Sequence, residues 1–332
     1  MCIRDRGQVL AIGRAENLLA GQLLCGPSDA RMSEDWPVPP SSTYGVALHA
    51  ENRQDEVKLS SALQKMREED CSLLVEQDQE LHQLTLWGQG EQHVAIALDR
   101  LKNRFGVGVT TTPVATPYRE TVQAATDQHA RFKRQSGGHG QFGDVQISVQ
   151  PLGRGEGVQF AEKVVGGAVP RQYIPAVESG VREATERGPL GFPVVDISVT
   201  LTDGKHHAVD SSEQAFKTAG RMAVQDALPN CKPVLLEPIV RLTAYTPDSA
   251  TAAVQRLITG RRGQILGYDA REGWPGWDQV EAHMPQAEIR DMIVELRSLT
   301  MGVGSFEWRF DHLQELSGRL ADEIVKARAE IA

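Results

Sequence analysis

The stretch IVRLTAYTPDSATAAVQRLITGRRG, at positions 239–263, decides how this chain folds. Apolar and polar residues alternate from 239 to 246, which predicts a half-buried strand. From Ala250 to Leu257 the apolar residues are spaced three and four apart, as on one face of a helix, and Gly260 stops that helix. A strand that leads directly into a helix is the beginning of a split βαβ unit.

The residues that follow complete this unit. Strands are predicted at 264–268 and 279–284, then a helix with Ile289 and Ile293 on its apolar face, then a strand around 306–310. The resulting order is βαββαβ, which defines a ferredoxin-like domain.

The same order occurs earlier, at 44–111, with an unrelated sequence. An RNA-recognition motif shares this order, but it needs base-stacking aromatic residues on its third strand. The third strand of the later unit reads DQVEAHM, at 278–284, which argues against that class.

Between the two units, residues 118–235 form a different module. Alternating strands are predicted around 145–149 and 195–201, and Ser211 with Gln214 predicts a capping box that opens a helix. The residues from Leu313 to Ile331 are predicted to form one closing amphipathic helix. The fold class is therefore α+β, with two ferredoxin-like domains that flank a third module.

Composition excludes several classes of protein. The four cysteines form no CxxC pair, which argues against zinc and disulfide frameworks and fits a reducing cytoplasm. No apolar run approaches the roughly 20 residues of a membrane helix. With a net charge of -9 the chain has no overall attraction for RNA, so any contact with RNA must come from local cationic patches.

Motifs for nucleotide chemistry are weak or missing. GHGQFG, at 138–143, matches GxGxxG but lacks a strand before it and a helix after it, so a glycine turn is favoured over nucleotide binding. The sequence contains no GxxxxGK[ST], NKxD or DxxG motif, so we expect no GTP binding or hydrolysis by this chain alone.

Two further clusters leave alternatives open. His206 and His207 have Asp210 and Ser211 nearby, but neither a spaced third metal ligand nor a GxSxG elbow accompanies them. Asp203-Gly204 predicts a tight turn, so the histidines form either an inert loop or a binding tip. The turn at 260–263 is either a helix C-cap or an RNA contact.

Several strings together resemble signatures of elongation factor G, in the order of that family from about residue 44 to 310. These strings are QSGGHGQF at 135–142, GGAVP at 166–170, YIPAV at 173–177, GPLGFPVVD at 188–196, HAVDSSE at 207–213, LLEP at 235–238, RRG at 261–263 and LRSLT at 296–300. The resemblance implies the domains of that family: a remnant of the domain II β-barrel at 1–38, domain III at 39–115, domain IV, similar to ribosomal protein S5, at 116–235 with the closing helix 313–331, and domain V at 236–312. Residues 1–6 read either as a fused adapter, which we favour, or as an ordinary N-terminus.

The resemblance implies a ribosome-binding C-terminal portion of a translational GTPase that acts in tRNA and mRNA translocation. It places GTP and Mg²⁺ in an N-terminal domain outside this chain, so no cofactor, metal or catalytic residue is expected here. The expected partners are rRNA of both subunits, and tRNA and mRNA at the decoding centre. A cytoplasmic monomer without membrane contact is expected.

The ribosome- and RNA-binding residues that the resemblance and the cationic patches imply are Gly166, Gly167, Arg171, Lys205, His206, His207, Arg261, Arg262, Arg131, Lys133 and Arg134. His207 aligns with the family's tip histidine, and the alternative is a buried histidine that braces Ser211. Val303 and Gln172 depart from the family pattern, and the tip looks closer to the elongation factor G-like paralogues. A recycling or protection role therefore stays open, as does a stand-alone RNA-binding module.

Overall fold

The computed structural model describes residues 41–79, 81–134 and 140–331, and residues 41–112 contain the first βαββαβ unit. Its elements are β1 (Tyr44–Ala50), α1 (Glu56–Glu69), β2 (Leu74–Asp78), β3 (Gln83–Gly88), α2 (Glu91–Asn103) and β4 (Val109–Thr112). The sheet order is β2-β3-β1-β4, with antiparallel neighbours. Leu59 and Leu63 of α1 and Val94 and Leu101 of α2 are buried against it, which confirms the two helical faces.

The later unit repeats this topology. Its elements are β10 (Pro233–Pro247), α5 (Thr251–Gly260), β11 (Gln264–Ala270), β12 (Trp277–Pro285), α6 (Met292–Leu299) and β13 (Ser305–Leu316). The order β11-β12-β10-β13 matches that of the first unit, position for position. Alternate residues of β10, from Val240 to Ala244, face the core beneath α5 and α6, which leaves the other face of the sheet open.

The middle module has a mixed sheet covered by two helices. Its elements are β5 (Arg119–Val122), β6 (Thr126–Arg134), β7 (Gln141–Pro151), β8 (Val158–Glu162), α3 (Ile174–Thr185), β9 (Ile197–Lys205) and α4 (Glu213–Ala227). The order is β6-β7-β9-β8, and only β8 and β9 run parallel. Helices α3 and α4 approach closely at Gly180, where an added Cβ would lie 2.0 Å from the carbonyl oxygen of Lys217.

The middle module and the later unit share a sheet. Strand β5 pairs with the beginning of β10, from Val122 opposite Pro233 to Arg119 opposite Leu236. The final helix, α7 (Arg319–Ile331), packs against the middle module, where Ala321 contacts the cluster around Phe192. The domain limits at 116–235 and 236–312 therefore cross a continuous set of hydrogen-bonded strands.

The prediction of one helix over 313–331 is wrong at its beginning. Leu313 and Leu316 belong to β13, where they pair with Pro238 and Leu235 of β10. Gly318 then takes a φ of +79°, which glycine adopts without a Cβ clash, and the helix begins only at Arg319. A leucine spacing of three fits a helix, but backbone pairing with β10 takes precedence here.

Residues 1–38, predicted as a barrel remnant, lie outside the described residues. Over the part of the chain that is described, no helix has both the length and the apolarity needed to span a bilayer.

Candidate nucleic-acid interface

A row of charged residues crosses one end of the middle sheet. Arg131 on β6, Asp144 on β7 and Lys205 on β9 lie in register. The Nε of Arg131 donates to Oδ2 of Asp144 at 2.6 Å, and the His129 ring lies 2.9 Å from Oδ1. The Asp144 side chain is only 2% exposed, whereas that of Arg131 is 51% exposed. Asp144, which the sequence pattern missed, holds Arg131 at the sheet end without burying it.

Strand β9 continues through the predicted turn at Asp203-Gly204, and that prediction is wrong. Gly204 pairs with Val145 across the sheet. A Cβ on Gly204 would lie 2.4 Å from the carbonyl oxygen of Asp144 and 2.5 Å from Val169. Glycine is needed there for close packing between β7 and the neighbouring loop, and the exposed tip begins two residues later.

The tip itself, residues 206–211, is fastened to the beginning of β7. The amide of His207 donates to Oγ of Ser211 at 2.9 Å, and that hydroxyl donates to the carbonyl of Phe142 at 3.0 Å. Ser211 is therefore not the helix cap that the sequence predicted. Ser212 caps α4, because its side chain accepts the amide of Ala215 at 3.2 Å.

The two tip histidines face different surroundings. The His206 Nδ1 lies 3.2 Å from the carbonyl oxygen of Ala168. The His207 side chain is 56% exposed, and its ring lies 6.3 Å from that of Phe142 and 3.2 Å from the Asp210 carboxylate. The alternative in which His207 is a buried brace is wrong, because it is the His207 amide, and not the ring, that bonds Ser211.

A second loop lies beside the tip, as predicted. Gly166 and Gly167 have φ values of +71° and +73°, and no other group lies within 4 Å of their ideal Cβ positions. Both residues are exposed, and Arg171 follows on an exposed single turn of 3-10 helix, Arg171–Tyr173. The contact from His206 to Ala168 joins the two loops. Glycine backbone at this position leaves room for close approach of a ligand.

Lys133 and Arg134 complete the same end of the molecule. Both are exposed at the end of β6, opposite Phe142 and Gln141 of β7. The glycine-rich residues 135–139, between these two strands, lie outside the described residues. The structure thus brings together nine of the predicted binding residues, namely Arg131, Lys133, Arg134, Gly166, Gly167, Arg171, Lys205, His206 and His207.

Arg261 and Arg262 lie elsewhere, at the end of α5, and both form ion pairs with carboxylates. Arg261 donates to the carbonyl of Glu288 at 2.6 Å and to the Glu295 carboxylate at 2.5 Å. Arg262, at a φ of +59°, donates to both Glu237 oxygens, at 3.0 and 3.1 Å, and to Glu288 at 2.9 Å. The Glu237 side chain is 6% exposed. The ion pair between Arg262 and Glu237 therefore connects the beginning of β10 to the end of α5.

Three family models match consecutive parts of the chain. They are described as elongation factor G, domain III, at 39–113; elongation factor G, domain IV, at 114–232; and elongation factor G C-terminus, at 234–324. The first two boundaries fall between the modules of the structure, and the third model ends within α7. The chain belongs to the elongation factor G family of translation factors.

Within this family the chain is similar to proteins named elongation factor G-like protein. One from Synechocystis sp. is 51% identical over 96% of this chain, and one from Mycobacterium tuberculosis is 43% identical over 92%. Elongation factor G of Dehalococcoides mccartyi is 38% identical over 97% of this chain. A crystal structure of a Thermus thermophilus protein matches with a TM-score of 0.81 and 37% identity, over 96% of this chain and 47% of its own. The chain spans 42–47% of the length of these curated relatives.

Proposed function

We propose that this chain is the ribosome-engaging part of an elongation factor G-like translational GTPase, with the end of the middle sheet as its contact to RNA. The observation that carries the proposal is the convergence of separate cationic segments at this end, in a chain whose net charge is -9. In an acidic protein, a local cationic end is attracted to RNA phosphates, while the acidic remainder of the surface is repelled by them.

The chemistry of this end suits backbone contact rather than sequence reading. Lys133, Arg134, Lys205 and Arg171 offer exposed cations to phosphates, which fix position without reading bases. The exposed His207 ring is able to stack on an unpaired base or to hydrogen-bond its edge. Membership of the elongation factor G family supports placing this end beside tRNA and mRNA at the decoding centre of a cytoplasmic ribosome.

The step that we propose is translocation of tRNA and mRNA. GTP and Mg²⁺ would belong to the part of the relatives' length that this chain does not span. Ribosome recycling or protection is the second candidate. It is favoured by Gln172, beside the second loop, and by Val303, which is 53% exposed after α6, where the family pattern has other residues.

The test uses a chimaera in which this chain replaces the matching region of the full-length Synechocystis relative. We expect GTP-dependent movement of mRNA by one codon on programmed ribosomes, measured by a fluorescent mRNA label. Subunit splitting without mRNA movement would support the recycling role instead. If the chimaera hydrolyses GTP but neither cosediments with ribosomes nor changes them, the proposal fails.

The preferred partner distinguishes a ribosome-binding protein from a stand-alone RNA-binding module. Cosedimentation of this chain alone with 70S ribosomes should fall as salt rises, because each phosphate contact releases counterions. The control is the same chain with Lys133, Arg134 and Lys205 changed to Ala. Equal binding to ribosomes and to unstructured RNA would favour the stand-alone module.

A further inference from the structure

Three potential metal ligands meet on the open face of the second ferredoxin-like sheet, separate from the residues proposed to contact RNA. They are His283 on β12 and the consecutive pair Asp311 and His312 on β13. One ligand atom from each residue lies within 4.8 Å of the other two. Neither the function proposed above nor the sequence motifs assign any role to this cluster.

A β-bulge brings the three side chains to one place. Strand β10 separates β12 from β13, and His283 lies opposite Arg241, on the face turned away from the helices. The pairing of β13 with β10 shifts from Phe310 opposite Val240 to His312 opposite Ile239, so Asp311 is the extra residue. A bulge re-aims side chains, and here it presents two consecutive residues toward His283.

The distances suit a shared ligand. The Asp311 Oδ2 lies 2.7 Å from Nδ1 of His312 and 3.6 Å from Nε2 of His283, and the two rings lie 5.5 Å apart, edge to face. An ionised carboxylate between two imidazoles is a donor set that divalent transition ions prefer.

We propose that His283, Asp311 and His312 form a binding site for a divalent transition metal ion such as Zn²⁺. Three protein ligands leave at least one coordination position for water. The side chains are between 29% and 42% exposed, so the ion has access from solvent. An ion at this position connects β12 to β13 across β10 and stabilises the folded sheet by binding it.

The nearest cation does not prevent binding, because it already has a partner. Arg241 lies between the ligand strands, and its guanidinium donates to the Glu281 carboxylate at 2.5 Å. Arg309, opposite Arg241 on β13, is a second cation of this face, and Glu307 lies two residues before it on the same strand. The carboxylates of this face offset both cations.

Isothermal titration of the full chain with ZnCl₂, in a buffer that does not chelate metals, tests the site. We expect one ion per chain, with binding weakened about tenfold or more in His283→Gln and Asp311→Asn. The matched control is His49→Gln, whose ring is exposed on the first sheet and contacts Thr112 at 2.9 Å. Equal affinity in all four proteins, or a loss in His49→Gln as large as that in His283→Gln, overturns the proposal.

A second measurement needs no substitution at the site and so cannot fail through misfolding. Diethyl pyrocarbonate modifies exposed histidines, and mass spectrometry locates the modified residues. Zinc should protect His283 and His312 while His49 reacts at an unchanged rate. Unchanged modification of His283 and His312 at saturating zinc contradicts the proposal.

Discussion

Two basic regions of this molecule look alike in sequence and differ in structure. At the end of the middle sheet, Lys133, Arg134 and Lys205 are exposed. At the end of α5, Arg261 and Arg262 are paired with the carboxylates of Glu237, Glu288 and Glu295. Both regions carry adjacent cations in a glycine-containing segment, and both were predicted to contact RNA.

The difference shows that a cationic residue in the sequence is not necessarily available to a ligand after folding. The acids that engage Arg261 and Arg262 lie 25 to 34 positions away along the chain and meet them only after folding. Arg131 is intermediate, since it pairs with Asp144 yet stays half exposed. We therefore expect the α5 arginines to contribute mainly to stability and the middle-sheet end mainly to binding.

The strongest test of this contrast is Arg262→Ala. It leaves the Glu237 carboxylate, 6% exposed, without its bidentate partner. Breaking a buried pair costs about 3–5 kcal/mol, and we expect about 3 kcal/mol here because Arg262 is a third exposed. Chemical denaturation measures the loss, with the exposed Arg256→Ala on the same helix as control.

Ribosome cosedimentation across a salt series then separates stability from binding. An RNA contact at Arg261 and Arg262 remains a prediction, and it requires the double Ala variant to bind more weakly and with a shallower salt dependence. If the double variant is stable and binds ribosomes more weakly, Arg261 and Arg262 contribute to binding rather than to stability, contrary to our expectation. A destabilised variant with wild-type binding, measured where it is folded, would support it.

A second buried carboxylate shows what happens without a guanidinium partner. Glu120 on β5 is 1% exposed, and its oxygens accept the amides of Leu190 at 2.9 Å and Phe192 at 3.1 Å. Burial raises the pKa of Glu120 from 4.5 to about 7, against the lowering effect of these hydrogen bonds. The native state then binds more protons than the unfolded state between these values, so stability falls as the pH rises through that window.

Glu120→Gln should remove this dependence because glutamine stays neutral. Between pH 5 and pH 8 the wild type should lose about 2–3 kcal/mol relative to the variant. Urea unfolding at each pH measures the difference, with the exposed Glu162→Gln of β8 as control. A constant difference between wild type and Glu120→Gln across the range would show that the Glu120 carboxyl titrates normally.

The periodicity of apolar residues predicted most of the helices and strands. It failed where pairing between distant strands determines the structure. The apolar faces of α1, α2 and α5 follow from local spacing, because each helix buries one stripe. The leucines of β13 fit a helix equally well, and only their pairing with β10 shows that they form a strand. The turn predicted at Gly204 failed for the same reason, since Gly204 pairs with Val145 of β7.

The candidate site was predictable in its residues but not in its arrangement. Family strings identified His207 and the glycines of the second loop, and alternation placed β7 and β9 in the same module. The partners of Arg262 could not be identified, because nothing local relates position 262 to 237. The cluster around His283 was missed because a bulge, which has no periodic signal, brings Asp311 to it.

The two loops at the end of the middle sheet should also differ from the end of α5 in their need for glycine. Gly167 has a φ of +73° and open space around its Cβ position, so Gly167→Ala should cost about 1 kcal/mol through backbone strain alone. Gly260, the last residue of α5, has equally open space without a positive φ. Gly260→Ala should therefore be neutral or slightly stabilising in the same thermal melt. Equal losses in the two variants would mean that the loop conformation is not what requires glycine.

The smallest expected effect on stability belongs to His207, and it is the one most informative about function. Its ring is 56% exposed, and its Nδ1 accepts the amides of Val209 and Asp210 at 3.4 and 3.2 Å within the exposed tip. The bond to Ser211 comes from the His207 amide, which alanine retains. His207→Ala should therefore leave the melting temperature within about a degree, as for other exposed positions.

In the chimaera with the Synechocystis relative, the same change should slow mRNA movement, because a solvent-facing ring is lost at the end that we propose to contact RNA. His49→Ala, on the first sheet, is the matched control and should change neither quantity. A large fall in melting temperature with normal movement would make His207 a structural residue. Because Arg262→Ala is expected to show the opposite pattern, the two variants together decide whether exposure or charge identifies the binding surface of this chain.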